Sequence, residues 1–564
     1  MAARRAAKRA LGLFAVLFLL AACQGDGGTN AVDDGPPTET CGFAGAYPGV
    51  PCPDPDTTTL PTGIMPQLPV PRTAPGWEGY QPVALPTPAP ESCTVSYAAG
   101  DALPRTLVLA EGEVVCLTGM ATAARTVQLD ARACSAAAPC WIVGRGTGGL
   151  SSSASPAITV VGQHVIFDGL QLNVVRSGVD LLPGSAYVTV RHSTIVGDGS
   201  DGGGAGIDIT GAAGAEIRYV MIYGNRFDRI GPSDGGPLGG EAHQVRPSWY
   251  ARYVWIVDNV FGSSDGDAVQ AGNSKTPDQR RNEGLNAVKS PHYVWIAGNR
   301  QEGVSENFVD LKNSYHVVVS SNVVAVPVRE TVIILSQDGE GFWTGYHWAI
   351  ANRLVGGGGE CIGVRGNESN FYGTFYDYNA VIANVAYDCR GLLSFQSGNS
   401  AGVGPETYVL YNTFVSRIEP PYTTRAPVYK AQNRQEKRVE FIGNIFYGNF
   451  NPIGGSGGDS LIAANGYRIE TFVARDNLYY QVDGVEFPFL SGIDAGTLEV
   501  SGNLHADPRF VDEAGRNFAL AQGSPARNAT DLGSSAFDLF QRFYGLDLRA
   551  PLGLDGIHNI GAAQ

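Results

Sequence analysis

A short apolar strand that ends in asparagine recurs along the chain, for example in "YVMIYGN", "YVWIVDN", "YVWIAGN", "HVVVSSN" and "VEFIGN". The closing asparagines lie 23 to 40 residues apart, which is the length of one solenoid coil plus a connection of variable length. Because they recur once per coil, we expect their side chains to stack and to hydrogen-bond along the solenoid axis. They are Asn225, Asn259, Asn299, Asn322, Asn352, Asn384, Asn412 and Asn444.

A second short strand recurs between these asparagines, as "GVDLLPG", "GIDITGA", "DAVQAGN", "FVDLKNS", "TVIILSQ", "CIGVRGN" and "GLLSFQS". Each stretch is alternating or wholly apolar and ends in a turn residue, as strands do. Two or three such strands per coil, stacked coil on coil, predict an all-β parallel β-helix with little helix. A β-propeller, whose blades repeat at about 40–45 residues, is the alternative fold.

The first 22 residues read as an export signal, with a basic start and a short apolar run. The run ends in "LAAC", which resembles the lipobox of bacterial lipoproteins, where the Cys becomes the first residue and carries lipid. This resemblance implies a chain anchored at Cys23, and Gln24 after it favours the outer membrane and cell surface. A simple secretion signal with an incidental Cys is the alternative.

Composition divides the rest of the chain. Residues 23–92 are rich in Pro, Thr and Gly, which predicts a disordered tether. The β-helix is predicted over 161–500, with an N-terminal cap and first coils in 93–160 and a C-terminal cap in 501–564, because open ends would invite aggregation. The ending "DGIHNIGAAQ" resembles that of exported right-handed β-helix proteins of bacteria, which implies a right-handed coil.

Eight cysteines remain besides Cys23, and an even number in an exported chain is what disulfides require. Cysteines close in sequence are the natural pairs, and the last two lie about one coil apart, so that they would join adjacent coils. Metal binding is the weaker interpretation, since no Cys-x-x-Cys pair or His cluster accompanies them. The eight are Cys41, Cys52, Cys93, Cys116, Cys134, Cys140, Cys361 and Cys389.

The net charge of −15 argues against nucleic acid or an anionic lipid surface as the main partner. Membrane contact is therefore expected only through the lipid anchor, and we expect a monomer. An acidic substrate is not excluded, because local cations or bound divalent ions reverse the field where they lie.

Strand alternation in "FVDLK" sends Val309 and Leu311 inward and Asp310 and Lys312 outward, so both charged groups are expected in water. Adjacent coils are about 4.8 Å apart, so outward residues of successive strands form columns. The first predicted column is Asp180, Asp208, Gln270 and Asp310. The second, two residues further along, is Leu182, Thr210, Gly272, Lys312, Ser336, Arg365 and Gln396.

A groove lined by acids, a lysine and an arginine resembles that of the β-helical polysaccharide lyases of the pectate-lyase-like superfamily. The resemblance implies β-elimination on an acidic, uronate-containing polysaccharide, with calcium neutralising the carboxylate. It implies Lys312 as the base, if nearby cations depress its pKa, and Arg365 as the clamp on the substrate or developing charge. The implied calcium ligands are Asp180, Asp208, Asp267 and Asp310.

Other residues are candidates for substrate binding. His243 and Arg246, in "EAHQVRPSWYARY", are expected in a loop over the groove. Trp343 and Tyr346, in the predicted loop "QDGEGFWTGYHW", are expected to stack on sugar rings. The set is completed by Arg329 and Gln396.

Other functions stay open. Asp310 and Lys312 also fit a solubilising ion pair worth less than about 1 kcal/mol. A glycoside hydrolase needs clustered acids, and the adjacent pair Asp33-Asp34 lies in the tether, which places hydrolase below lyase. A uronate epimerase starts with the same proton abstraction as a lyase. A non-catalytic lipoprotein that binds polysaccharide or partner cells is the alternative outside enzymes.

Overall fold

The computed structural model describes much of the chain beyond the predicted tether, and at some strand ends it describes the backbone alone. The described residues are 89–200, 202–232, 242–273, 289–337, 343–356, 358–365, 375–396, 406–416, 428–430, 435–449, 460–463, 468–482, 488–531, 533–544, 547–549, 552, 554 and 557–562.

The described residues form a parallel β-helix, which confirms the predicted fold. Each full coil gives one strand to each of three sheets, named first, second and third by their order within a coil. Strands of one coil pair in parallel with those of the next coil in all three sheets. The long strand Ile158–Asp168 runs through both the first and the second sheet.

The strand bounds follow this order. The first sheet contains Thr106–Val108, Val127–Ala131, Ile158–Asp168, Val179–Leu181, Gly204–Ile209, Ala242–Pro247, Val269–Ala271, Val309–Lys312, Ile333–Gln337, Glu360–Arg365, Gly391–Gln396, Val428–Lys430, Ile462–Ala463 and Leu490–Ser491. The second contains Val95–Tyr97, Val114–Leu117, Cys140–Gly144, the same Ile158–Asp168, Ala186–Arg191, Ile217–Tyr223, Ala251–Val257, His292–Ala297, Tyr315–Ser320, Trp343–Ile350, Phe375–Ile382, Glu406–Leu410, Gln435–Ile442, Arg468–Arg475 and Asp494–Ser501. The third contains Met120–Ala123, Gly149–Ser152, Gln171–Val174, Thr194–Gly197, Arg226–Asp228, Val260–Phe261, Arg300–Gln301, Val323–Val324, Arg353–Val355, Val385–Tyr387, Thr413–Ser416, Ile445–Gly448, Leu478–Gln481 and Leu504–His505.

The turn between the second and third sheets explains the recurring asparagine. The residue before each Asn has a positive φ, such as 53° at Asp258 and 56° at Ser321, so the chain bends sharply there. The Nδ2 of Asn384 then donates to the Oδ1 of Asn412 at 2.9 Å and to the carbonyl of Ala349 at 2.8 Å. The predicted ladder of asparagines is confirmed, and it continues beyond Asn444 to Asn477 and Asn503.

Aromatic rings form a second stack where strands of the second sheet begin. Neighbouring rings have centroids 4.5 to 5.2 Å apart. Each residue has φ between 49° and 58°, so a bulge recurs at the same place in successive coils. The stack is His164, Tyr187, Tyr219, Tyr253, Tyr293, His316, Tyr346 and Tyr378.

The C-terminal segment packs along the sides of the β-helix. Helix α1, Ala536–Tyr544, lies on the second sheet, where Phe540 contacts Trp348 with ring centroids 4.9 Å apart. Phe518 and Ile560 belong to a cluster on the third sheet. The hairpin Phe510–Asp512 with Asn517–Leu520 and the pair Thr530–Asp531 with Ile557–His558 are antiparallel. These contacts leave the outward face of the first sheet to the site described below.

Three disulfides hold the described coils together. They join Cys93 to Cys116, Cys134 to Cys140 and Cys361 to Cys389. The prediction that neighbours in sequence pair is confirmed for these six, and the last pair joins adjacent coils as expected. Cys23, Cys41 and Cys52 lie outside the described residues. In the described part of the chain, α1 and every other helical stretch fall short of the length and apolarity that crossing a membrane takes.

Candidate functional site

Register on the first sheet aligns the predicted acids. Asp180 pairs with Asp208, and Asp208 pairs with Arg246. One coil beyond Arg246, Gln270 pairs with Asp310. The predicted column is therefore present, with Arg246 as an additional member. It lies along the face that the described C-terminal contacts do not reach.

The loop prediction for His243 and Arg246 is wrong. Both residues lie on the strand Ala242–Pro247, which pairs with Gly204–Ile209. Ala242 and Val245 enter the core, and this apolar pair holds the segment in the sheet.

The second predicted column is displaced at Lys312. A bulge after Asp310 pairs Lys312 with Gln337 rather than with Ser336. Arg365 pairs with Gln396 as expected. The side chains of Arg365 and Gln396 lie outside what the structure describes, so their roles stay predictions.

The expectation that Asp310 is in water is wrong. Its side chain is 2% exposed, against 19% for Lys312, whose Nζ lies 3.1 Å from the Asp310 Oδ2. The residues that flank Asp310 in register, Gln270 and Ile334, are also buried. Removing one partner of such a buried pair leaves the other charge uncompensated.

A polar ladder at the corner between the third and first sheets contains His243 and Asp267. The Nδ1 of His243 accepts the N–H of Asp267 at 3.0 Å. The Oδ1 of Asp267 accepts the Asn307 amide at 2.8 Å, and the Oδ1 of Asn307 accepts the N–H of Thr331 at 3.0 Å. Thr331 in turn donates to Glu360 at 2.9 Å. These bonds give His243 and Asp267 a structural role.

Glu306, which precedes Asn307 of this ladder, is a titratable residue that the sequence interpretation missed. Burial raises its pKa to about 7, together with the charges of Asp267 and Glu330, against the opposing charges of Lys312 and Arg329. Its carbonyl accepts the N–H of Glu330 at 2.8 Å, which holds the next coil against it. A carboxyl with this pKa exchanges protons readily near neutral pH.

Asp180 has a raised pKa as well. Burial raises the pKa to about 7, the charge of Asp208 adds to the effect, and Arg246 opposes it. Asp208 accepts a hydrogen bond from Thr210 at 2.6 Å and forms an ion pair with Arg246. The Oδ1 of Asp180 is buried and has no hydrogen-bond partner among the described residues. The two adjacent carboxyls therefore stand in different environments.

Of the predicted substrate-binding residues, Trp343 and Tyr346 occupy other positions than expected, and Arg329, for which no position was predicted, is held by backbone carbonyls. The guanidinium of Arg329 donates to the carbonyls of Ser264 and Asp265, which fixes it beside the corner ladder. Trp343 begins the strand Trp343–Ile350 instead of lying in a loop, and its side chain is outside what the structure describes. Tyr346 is also on this strand and is buried in the aromatic stack, so neither ring face is open to a sugar.

The four predicted calcium ligands do not form one metal site. Asp208 is bound by Arg246, Asp310 by Lys312, and Asp267 by an asparagine amide. Among the residues that the structure describes, no group of three or more His, Cys, Asp or Glu side chains is arranged to hold a metal ion. These carboxylates do not fit a single calcium ion, and a calcium requirement stays a prediction.

No known protein family and no curated protein matches this sequence. Solved structures with a similar chain path include a double mutant of the tailspike protein of E. coli bacteriophage HK620, at 10% identity and a TM-score of 0.39, over 73% of this chain and 71% of that chain. Pectate lyase Pel9A aligns at 12% identity and a TM-score of 0.29, over 81% and 88% of the two chains. An alginate lyase from Paenibacillus sp. str. FPU-7 aligns at 11% identity and a TM-score of 0.32, over 60% and 99%.

The strand pairing of the chain itself defines its class. It is a parallel β-helix protein whose first sheet carries acidic and cationic side chains on its outward face.

Proposed function

We propose that this protein is a polysaccharide lyase that cleaves a uronate-containing polymer by β-elimination on the outward face of the first sheet. The main support is the electrostatic interaction of Lys312, a cation, with Glu306, a carboxyl whose pKa burial raises to about 7. Uronate cleavage needs both a positive charge beside the sugar carboxylate and a group that takes the α-proton. The acidic polymer matches the presence of cationic side chains on this face of an otherwise acidic protein.

The surroundings of Lys312 favour a role as the fixed positive charge. Asp310 is ion-paired to it, and Asp267 and Glu306 lie within electrostatic reach. Carboxylates favour the charged form of an ammonium, whereas a base must be neutral. We therefore propose that Lys312 binds the substrate carboxylate and that Glu306 is the base that accepts the α-proton. Lys312 was first expected to be the base, so its proposed role changes.

The elimination balances with these residues. Glu306 takes the proton at C5 of the uronate, and the electron pair of that bond forms the double bond between C4 and C5. The bond from C4 to the glycosidic oxygen breaks, and this oxygen takes a proton from solvent. Lys312 stabilises the negative charge that develops on the sugar carboxylate. No step passes through a metal.

The test is an assay of the purified chain on pectate, alginate and other uronate polymers, with and without calcium. Formation of unsaturated product is followed by ultraviolet absorbance. We expect Glu306→Gln and Lys312→Met each to lower kcat by about 10²-fold or more. The wild-type rate should rise with pH through about 7, since Glu306 must be ionised to accept a proton.

Matched controls remove the same groups from other faces. Lys437→Met deletes an ammonium whose side chain is 52% exposed in an ion pair on the second sheet. Glu302→Gln deletes an exposed, ion-paired carboxylate next to the third sheet. Both should retain wild-type activity. Full activity in Glu306→Gln would remove Glu306 from the mechanism, and full activity in Lys312→Met would do the same for Lys312.

The products separate the alternatives. Binding without product across the whole panel would favour a non-catalytic polysaccharide-binding protein. Exchange of the C5 proton with solvent deuterium, without chain cleavage, would favour a uronate epimerase.

A glycoside hydrolase is the second candidate, because Asp180 and Asp208 stand side by side in different environments. Such a difference between two carboxyls suits a general acid and an ionised partner. New reducing ends without unsaturated product, abolished by Asp208→Asn, would support this function over the lyase.

We further propose that the chain is anchored to the outer membrane through Cys23. Its "LAAC" sequence and the three disulfides, which suit an oxidising compartment outside the cytoplasm, support export. Labelled palmitate should be incorporated into the chain in expressing cells and lost in Cys23→Ser. Equal labelling of both would contradict the anchor.

A further inference from the structure

The last strand of the second sheet, Asp494–Ser501, has a free edge among the described residues. It pairs in parallel with Arg468–Arg475 on one side along its whole length. Apart from Ala495, all of its residues are exposed. The backbone groups on such an edge offer hydrogen bonds to a further strand.

The hydrophobic interior of the solenoid is also open at this end. Leu498 and Val500 continue the inward positions of Phe472 and Ala474, which are buried. Leu498 is nevertheless 53% exposed and Val500 48% exposed, because no further coil among the described residues covers them. The described residues of the C-terminal segment contact the sides of the β-helix, as shown above. Apolar groups and an unpaired strand edge therefore coincide on one surface.

In place of the monomer expected from the sequence, we propose that a second copy of this chain covers this end, with Asp494–Ser501 pairing antiparallel with itself across a twofold axis. An axis perpendicular to the solenoid brings the same edge of both copies together and keeps their core-facing residues on the inner side. With Leu498 opposite its own copy, Glu499 faces Thr497 and Asp494 faces Gly502. No two carboxylates are then opposite each other, which avoids the repulsion that like charges produce across strands.

The other end of a second copy fits this edge less well. Its first strand in the second sheet, Val95–Tyr97, has 3 residues, whereas Asp494–Ser501 has 8. Pairing with it would leave most of the edge unsatisfied. A head-to-tail contact would also repeat into a filament rather than close as a dimer.

Sedimentation equilibrium of the purified chain over a concentration series tests the dimer. We expect a reversible monomer–dimer equilibrium, and small-angle scattering of the dimer should give a particle about twice as long as the monomer. Thr497→Glu places a carboxylate opposite Glu499 and should weaken dimerisation at least tenfold. The matched control is Thr471→Glu, one coil further in at the same register position, which should leave the equilibrium unchanged.

A cross-link tests the register. Leu498→Cys should form an intermolecular disulfide in most chains, because the two copies of this position face each other. Val500→Cys, which would face Gly496, should not. A monomer at every concentration, a filament, or a dimer that Thr497→Glu does not weaken would overturn the proposal. These outcomes are independent of enzymatic activity.

Discussion

Substitution of one rung in the asparagine ladder should destabilise the protein far more than a typical polar substitution. Asn384 is fully buried near the middle of the ladder. Its Oδ1 accepts the N–H of Asn352 at 2.9 Å and the Nδ2 of Asn352 at 2.9 Å. Its Nδ2 donates to the carbonyl of Ala349 and to the Oδ1 of Asn412.

The cost of Asn384→Ala follows from the partners that remain. The backbone N–H of Asn352 loses its acceptor at a buried position, which costs about 1–3 kcal/mol. The side-chain amide of Asn352 keeps its bond to Val319, and the Oδ1 of Asn412 keeps the N–H of residue 384, so each loses a part of its bonding. With the cavity left by the amide, we expect a loss of about 3–4 kcal/mol.

Asn384→Asp separates hydrogen bonding from side-chain volume. The ionised carboxylate still accepts from Asn352, but it turns an oxygen toward the Ala349 carbonyl and the Oδ1 of Asn412. Burial and these oxygens favour the protonated form, so its folded pKa is expected above the unfolded value. The variant should therefore lose stability as pH rises between these two pKa values, and it should be more stable at acidic than at neutral pH relative to wild type.

Urea unfolding, followed by far-ultraviolet circular dichroism with the m-value as a check on cooperativity, measures these effects. Asn503→Ala is the matched control, because the last rung is half-buried and water can replace its bonds; we expect a loss of about 1 kcal/mol. If Asn384→Ala were no more destabilising than Asn503→Ala, the asparagines would be incidental to stability and the reasoning would be refuted.

Three further substitutions test other parts of the structure. Asp180→Asn should stabilise the protein by up to about 4 kcal/mol above pH 7 and have little effect near pH 4. The reason is that a carboxyl with a raised folded pKa costs stability as pH rises from its unfolded pKa to about 7. Asp208→Asn, which loses its bonds to Arg246 and Thr210, should instead destabilise the protein at neutral pH. Replacing both Cys361 and Cys389 by Ser should cost about 3–4 kcal/mol, from a loop closed over a separation of 28 residues, as measured by urea midpoint against wild type with and without reductant. Phe540→Ala should cost about 3–4 kcal/mol in thermal or urea unfolding, since the ring is buried against Trp348; an unchanged midpoint would mean that α1 contributes little to the fold.

The repeat was readable from the sequence because it is local. Each coil needs an apolar strand, a sharp turn and a side chain that bonds along the axis, and these needs fall on neighbouring residues such as "AGN" at 297–299. The recurring strands also predicted, correctly, that Asp180, Asp208 and Asp310 lie in one column on the first sheet. The predicted positions of Arg246 and Tyr346 in loops were wrong. Both lie on strands, because the alternation that marks a strand was weak in their segments.

The pKa values and the solvent exposure of the site carboxyls could not be predicted from the sequence. Burial raises the pKa of Glu306 to about 7, and the charges of Asp267 and Glu330, from the coils before and after it, add to the effect. Coil lengths vary too widely for sequence spacing to reveal such neighbours. Asp310 looked solvent-exposed because alternation gives only the direction of a side chain. Whether a side chain on that side of the sheet is exposed to solvent at a given coil depends on the neighbouring strands.

The amino-acid sequence alone determined that this chain coils into a parallel β-helix and where its asparagines stack, and it favoured the pairing of cysteines that are neighbours in sequence, which the three described disulfides confirm. These features depend on residues within one coil or on the simple recurrence of one coil after another. Tertiary structure decided which outward face the described C-terminal segment leaves open, which carboxyls gain a raised pKa and which edge of the solenoid is unpaired within the described part of the chain. These depend on where the C-terminal segment folds back and on contacts between coils, since burial and charge act through space rather than along the chain.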